Sequence, residues 1–241
     1  MHRLASSAPP ASHLPDPRLT LISTEFPHLL PHRHILDIGC NAGRTTVSAA
    51  LHFSAASATG IDLDPALIVS AKSHLSFVYS RLEPELHPEG RPREVYFPVS
   101  AVQKHGQVPY PLHTEEFPRN VRFEDADVLQ YGGEGVDVVL MLSVLKWVHL
   151  WGGDEGLMKV LGKVEGWLEG GGWLVLEVQE WASYEKAVKK NPALRGRAES
   201  LGIRPEGLGE LLEGRGWKRL GEVGGKRRIE IWGWGARGWE T

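Results

Sequence analysis

Apolar positions along the chain fall into short runs, separated by glycine turns and by stretches with helical spacing. His34 to Ile38 is one such run, interrupted by Asp37, and Gly39 to Gly43 follows at once before a helix-compatible stretch. That order predicts strand, tight turn and helix. Ala58 to Asp62 predicts a second buried strand. Asp64-Pro65 then supplies an N-cap and a proline at the first helical position, for a helix to about His74. Val121 to Glu124 resumes a strand, and Val136 to Leu142 is almost wholly apolar, as expected when helices cover both faces of a sheet. A helix is predicted over Asp154 to Leu168, a strand over Trp173 to Val178, and helices over Ser183 to Leu201 and Pro205 to Glu213. Trp217 to Val223 and Arg228 to Trp234 predict a hairpin around Gly224-Gly225. Alternating strands and helices with short connections imply an α/β fold, a doubly wound and mostly parallel sheet finished by an antiparallel pair.

Two stretches lack any period. Residues 1–17 read as a flexible lead-in, and residues 80–119 as a proline-rich, loop-rich insertion. Residues 18–241 then form one domain, and 241 residues are enough to bury a real core. Fourteen of the 16 prolines lie at or before Pro118, whereas all nine tryptophans and 23 of the 28 glycines lie beyond it. Because the strands on both sides fit one sheet, this asymmetry marks two halves of a single fold. Hydrophobic residues at 41% and charged residues at 24% exclude a disordered or fibrous chain. The lone cysteine, Cys40, excludes an intrachain disulfide and fits a reducing compartment. The first residues carry no apolar signal core, and the run Val138 to Leu145 is too short to span a bilayer, so a soluble intracellular protein is expected. The net charge is −3, yet residues 181–241 carry 13 Lys/Arg against 8 Asp/Glu, a basic excess suited to a phosphate-bearing partner.

The strongest local chemistry lies in ILDIGCNAG, Ile35 to Gly43. Gly39 and Gly43 let the backbone turn sharply and approach a ligand at the start of the following helix. A dinucleotide site wants G-x-G-x-x-G, but Asn41 stands at the third position; a P-loop wants G-K-[ST], which is absent. Asp62 ends the second strand 23 positions after Gly39, where a ribose diol would be gripped. Asp37 beside such a turn suits a nucleoside ligand without bridging phosphates, and S-adenosylmethionine is of that kind. A further carboxylate after the next strand, Asp125 or Asp127, could accept from an adenine amino group.

The second half of the chain resembles a known family. DVVLMLSVLKWVHLWGGDEGL (Asp137 to Leu157) and GGWLVLEVQEWASYEK (Gly171 to Lys186) are similar to the methylphosphate capping enzymes, RNA methyltransferases that methylate the 5′-terminal phosphate of small non-coding RNAs such as 7SK. The likeness extends through the DIGCNAG turn, YFPVS, FPRN and IRPEGL, about 220 residues in all. It implies a seven-stranded, Rossmann-like class I methyltransferase fold with S-adenosylmethionine as cofactor. It also implies that Arg18 reaches the methionyl carboxylate above Gly39, Cys40 and Asn41, that Asp62 and Leu63 hold the ribose, and that Asp127 and Val128 hold the adenine. Leu142 would then be the wall beside the methyl group. The Lys146-Trp147 pair leans towards triphosphate ends, since relatives acting on monophosphate ends commonly carry Met-Trp. The expected partners are a small non-coding RNA with a 5′ phosphate and ribonucleoprotein proteins, without membrane or metal, in the nucleus or otherwise the cytoplasm.

A terminal phosphate has a second pKa of about 6, so at neutral pH it is already nucleophilic and needs alignment more than a general base. Lys146, after the central strand, is the expected phosphate contact, with Gln179 and Ser183 as further candidates in the acceptor pocket and His149 placed either to donate to the phosphate or, the reading preferred, to brace the loop. Trp147 and Trp181 are candidates for stacking on bases, and Lys186, Lys189, Lys190, Arg195 and Arg197 for following the RNA backbone. Three features depart from the family. No aromatic or arginine precedes Arg18 in SSAPPASHLPDP, Glu180 replaces a proline, and Trp151-Gly152 replaces Asn-Trp. They leave a catalytically weak RNA-binding subunit as the main alternative, and a small-molecule or protein methyltransferase as a third reading. His28, His32 and His34 are interrupted by Pro27 and Pro31 and lack an accompanying cysteine, so no metal site is expected.

Overall fold

The computed structural model describes residues 14–83, 96–111, 115–168, 170–224 and 228–235. In chain order the elements are α1 (Pro17–Glu25), β1 (His34–Ile38), α2 (Arg44–Phe53), β2 (Ser57–Asp62), α3 (Pro65–Tyr79), α4 (Val99–His105), β3 (Val121–Asp125) and β4 (Val138–Met141). They continue as α5 (Leu145–Trp167), β5 (Gly172–Val178), α6 (Trp181–Lys190), α7 (Arg195–Glu199), α8 (Leu208–Gly214), β6 (Lys218–Val223) and β7 (Arg228–Trp234). The seven strands form one sheet in the order β3-β2-β1-β4-β5-β7-β6. β1 to β5 run parallel, and β7 lies antiparallel between β5 and β6. The expected α/β architecture is therefore present.

Period-two alternation divides the core between the two faces. Ile35, Val138 and Leu140 face the side that also buries Leu19, Val47 and Ala71 of α1 to α3. Leu36, Val139 and Met141 face the side that buries Leu157, Val160 and Leu212 of α5 and α8. All four residues of β4 have no exposed surface, which explains the unbroken apolar run. A smaller third cluster, including Leu150, Tyr184 and Leu194, packs α6 and α7 against the first turns of α5.

Several boundaries differ from the sequence expectation. α1 begins at Pro17, within the expected lead-in, because the Asp16 side chain accepts from the Arg18 amide and proline fits the first turn. α3 continues to Tyr79, and α4 lies inside the expected insertion, whose residues 84–95 and 112–114 are outside the described residues. The helix predicted from Asp154 starts at Leu145, so Lys146, Trp147 and His149 stand on helix instead of loop; α5 is broken at Gly153, with φ 67° and ψ −172°. The single helix predicted over Ser183 to Leu201 is divided at Asn191-Pro192, since proline offers no amide and disfavours helix in the residue before it. Gly225 of the predicted hairpin turn lies outside the described residues. Among the described residues, no helix is long and apolar enough to cross a membrane.

Candidate functional site

The strand order reverses direction beside β1, and ligands of open α/β sheets bind outside the carboxyl ends of the strands at such a point. A cleft of about 900 Å³ opens there, between the ends of β1, β2 and β4. Its floor is the turn after β1. Gly39 and Gly43 have φ of 71° and 73°, and Asn41 also takes a positive φ of 52°. A side chain on Gly39 would run into Val144, and one on Gly43 would meet Phe123 at 2.5 Å. The Gly39 and Cys40 amides both donate to the Ile61 carbonyl, at 2.8 and 3.0 Å, which fastens the turn to β2.

Four acidic groups surround that floor. Asp62 accepts from the Asn41 amide at 2.9 Å and from the Asp64 amide at 3.1 Å, so its carboxylate is fixed with lone pairs to spare. Asp127 accepts from the Leu129 amide at 2.9 Å in a tight turn at the cleft wall. Asp125 is exposed and does not line the cleft. Asp37 is buried and accepts from Thr46 Oγ1 at 2.7 Å. Burial pushes its carboxyl up to about 7, against the opposing effects of that hydrogen bond and of the Arg18 charge. Glu177, buried at the end of β5, accepts from Ser143 Oγ at 2.6 Å and from Arg18 Nη1 at 3.5 Å. Burial, reinforced by Asp37 and Asp62, raises the Cys40 thiol, so it stays protonated.

Arg18 closes the site from α1. Its guanidinium donates to Asp16 at 2.8 Å and to Thr45 Oγ1 at 2.8 Å, and Thr45 in turn donates to Asp16 at 2.7 Å. Burial alone would raise the Asp16 carboxyl, but the Arg18 hydrogen bond and charge outweigh it and hold the carboxyl below its usual range. Of the residues singled out for cofactor binding, Arg18, Asp37, Gly39, Cys40, Asn41, Asp62, Leu63, Asp127, Val128 and Leu142 line the cleft; Gly43 lies behind it and shapes the turn. Thr45, Ser143 and Glu177 were not singled out. No short motif marks them, because they meet only when the ends of β4 and β5 and the start of α2 come together.

The residues expected on the acceptor side are more dispersed. Lys146 is buried on the first turn of α5, and its ammonium donates to Ser183 Oγ of α6 at 2.9 Å while lying 4.8 Å from the centre of the Trp147 ring. Gln179 Oε1 is buried without a hydrogen-bond partner. His149 is buried and does not line the cleft. One of its ring nitrogens is 2.8 Å from Asp154 and the other 3.3 Å from the Tyr184 hydroxyl. Asp154 also accepts from the Gly202 and Ile203 amides, so the pair braces the break in α5 and holds the chain after α7. Of the two roles open to His149, these contacts fit the brace, since both ring nitrogens are already engaged. Trp147 lines the cleft and is 43% exposed, whereas Trp181 stacks on Tyr184 and holds the Arg204 guanidinium 3.8 Å from its ring centre. Lys186, Lys189, Lys190, Arg195 and Arg197 are all exposed on α6 and α7. Among the described residues, no group of His, Cys, Asp and Glu is arranged to hold a metal ion.

Residues 136–235, from the approach to β4 through the end of β7, match the family model of Bicoid-interacting protein 3 (Bin3). That match covers 100 residues, fewer than half of the chain's 241. The match includes Lys146, Ser183 and both basic helices, while the glycine turn and Asp62 lie upstream of it. The expected likeness to the methylphosphate capping enzymes extends over most of the chain. Over 225 residues, 82% of this chain, it is 32% identical to the 7SK snRNA methylphosphate capping enzyme of Mus musculus, of which 33% is covered. Over 163 residues it is 27% identical to the RNA 5′-monophosphate methyltransferase of the same species, with 64% of this chain and 49% of that one covered. The chain spans about a third of the length of the 7SK relatives. Among solved structures, the magnesium protoporphyrin IX methyltransferase of Synechocystis PCC 6803 superposes with a TM-score of 0.53 over 91% of this chain and 81% of its own, at 15% identity. The matched segment and the strands before it therefore share the fold of that methyltransferase.

Proposed function

We propose that this chain is an S-adenosylmethionine-dependent methyltransferase acting on the 5′-terminal phosphate of a small non-coding RNA. The observation that carries the reading is the convergence of Asp62, Asp127 and Arg18 on one cleft at the sheet's switch point, beside Lys146 of the segment that matches the Bin3 model. The cleft residues fit the cofactor in charge and shape. Asp62 offers lone pairs to a ribose diol. Asp127 and the apolar Val128, Leu129 and Leu142 suit a flat base with an amino group, and Arg18 suits a carboxylate. Glu177 places a carboxylate beneath the floor and Asp37 adds negative charge as it ionises near neutrality, which favours a ligand carrying an ammonium and a sulfonium. When bound, the cofactor supplies an electrophilic methyl group.

On the acceptor side, the protein's task is to hold a dianionic phosphate in line and keep water out. The Lys146 ammonium, already fixed by Ser183, is suited to bind that phosphate, and its burial strengthens the attraction. Lys146→Ala is expected to lower turnover about 100-fold with little change in cofactor affinity. The finer reading, a triphosphate end, rests on the Lys146-Trp147 pair and its likeness to the 7SK enzymes. A nuclear location accompanies that reading, and imaging of the tagged chain would test it. The alternative of a subunit that holds RNA without catalysis has no observation in its favour, since the donor-side groups share one open cleft.

The decisive experiment titrates radiolabelled S-adenosylmethionine against hairpin RNAs ending in a triphosphate, a monophosphate or a hydroxyl. Transfer to phosphate-ended RNA, with the triphosphate preferred, is the expected result. Cofactor binding without transfer to any RNA would remove the proposed activity.

A further inference from the structure

Large aromatic side chains are expensive to leave in water, and Trp151 is 52% exposed. It lines the cleft beside Gly152, at the last residues of α5 before the Gly153 break. No atom lies within 4 Å of the place where a Gly152 side chain would be, so the approach there is open. Yet Trp151 is held in place. Arg197 of α7 donates from Nη1 to the Trp151 carbonyl at 2.6 Å, and its guanidinium lies 5.2 Å from the centre of the indole. Trp181, one of the two aromatics that the sequence offered for stacking, is already engaged by Tyr184 and Arg204.

From these observations we infer that Trp151, positioned by Arg197, is the stacking platform for the base of a nucleotide just downstream of the RNA's 5′ end. The inference rests on the proposed RNA-methylating activity. Three features favour single-stranded RNA as the occupant. Trp151 belongs to the wall of the cleft in which the 5′ phosphate must be presented, so a strand leaving the cleft passes over it. Its partner Arg197 belongs to the helices that expose Lys186, Lys189, Lys190 and Arg195, so the strand meets positive charge next. Glu180, Glu185 and Glu199 are exposed on or beside the same helices and dilute that charge. Hold on the strand must then come in good part from stacking, which accepts any base and is strengthened by a guanidinium. The order along the path is cleft, indole, basic helices.

The test uses the full chain and a hairpin RNA with a 5′ triphosphate and three unpaired nucleotides, carrying 2-aminopurine at the second. Quenching of the 2-aminopurine reports stacking, and calorimetry with S-adenosylmethionine reports the donor side separately. For Trp151→Ala, the expected result is loss of quenching, an RNA affinity weakened about tenfold or more, and cofactor affinity within about twofold. Trp151→Phe should restore most of the quenching, because a smaller ring still stacks. Arg197→Ala should weaken binding less than Trp151→Ala and lessen its dependence on salt. Quenching and RNA affinity unchanged in Trp151→Ala overturn the inference while leaving the proposed activity intact. Equal losses of cofactor and RNA binding also overturn it, by assigning the ring to the donor side. An unsubstituted chain that binds cofactor but no RNA overturns both.

Discussion

Asp37 and His74 show how burial, as the largest cause, gives single residues opposite pH responses. Asp37 titrates near 7 in the folded chain against an ordinary 3.8, so between those values the folded state keeps a proton that the unfolded state has released. Its contribution to stability is fully present below about pH 4 and is lost as pH rises through 7. His74 is pushed down to about 4 by burial and by the Arg44 charge, so its contribution is present above 6.5 and lost as pH falls towards 4. The two slopes oppose each other across the same window. Asp37→Asn should therefore unmask the histidine, and urea denaturation at pH 4.5 and 7 should show that variant losing more stability in acid than the unsubstituted chain. Equal pH slopes in the two proteins would exclude a proton on Asp37. Gly39 sets a steric limit at the same scale: Gly39→Ala needs a positive φ and a place already filled by Val144. It is expected to cost about 1–3 kcal/mol and to weaken cofactor binding, measured by chemical denaturation and calorimetry.

Among the elements, α5 carries the most information, because one helix does two jobs. Its first turns, Leu145 to Gly152, point Lys146 towards α6 and line the cleft with Trp147 and Trp151. Its later turns bury Leu157, Val160 and Val164 against the sheet. The break between them needs Gly153, whose φ 67° and ψ −172° belong to a region that only glycine enters readily. Gly153→Ala should destabilise the protein by about 1–3 kcal/mol and lower methyl transfer, since the two halves would no longer meet at the required angle. Gly166, in the same helix, is exposed with open space around it, and Gly166→Ala should instead stabilise by about 0.5–1 kcal/mol. Thermal melts of the two variants should shift in opposite directions. This bend was not legible in the sequence. A helix starting at Asp154 satisfied the pattern, and the segment before it resembled a loop because its apolar residues are shared between the third small core and the cleft.

At the scale of the whole molecule, charge and topology separate an acidic cleft from a basic face. The acidic groups Asp37, Asp62, Asp127 and Glu177 gather around the cleft floor, while the exposed lysines and arginines of α6 and α7 stand to one side. Under the proposed function, a small cationic ligand and a polyanion would be drawn to adjacent places. Reversing Lys189 and Lys190 together should weaken RNA binding and flatten its dependence on salt by about two units of slope at most, with cofactor affinity unchanged. A salt slope equal to that of the unsubstituted chain would place the RNA backbone elsewhere.

The order of strands, the glycine turn and the carboxylate ending β2 were readable from the sequence, because each follows from local periodicity or from a backbone that only certain residues can adopt. So was Asp127 over Asp125, although only through family resemblance, since two acids two residues apart look alike until a cleft admits one of them. The tertiary structure decided everything that depends on distant segments meeting. It united Arg18 with Asp16, Thr45 and Glu177, gave both nitrogens of His149 to a brace, engaged Trp181 within α6 and left Trp151 open. Which polar side chain is free to act depends on which partners folding has already given it, and no short stretch of sequence contains those partners.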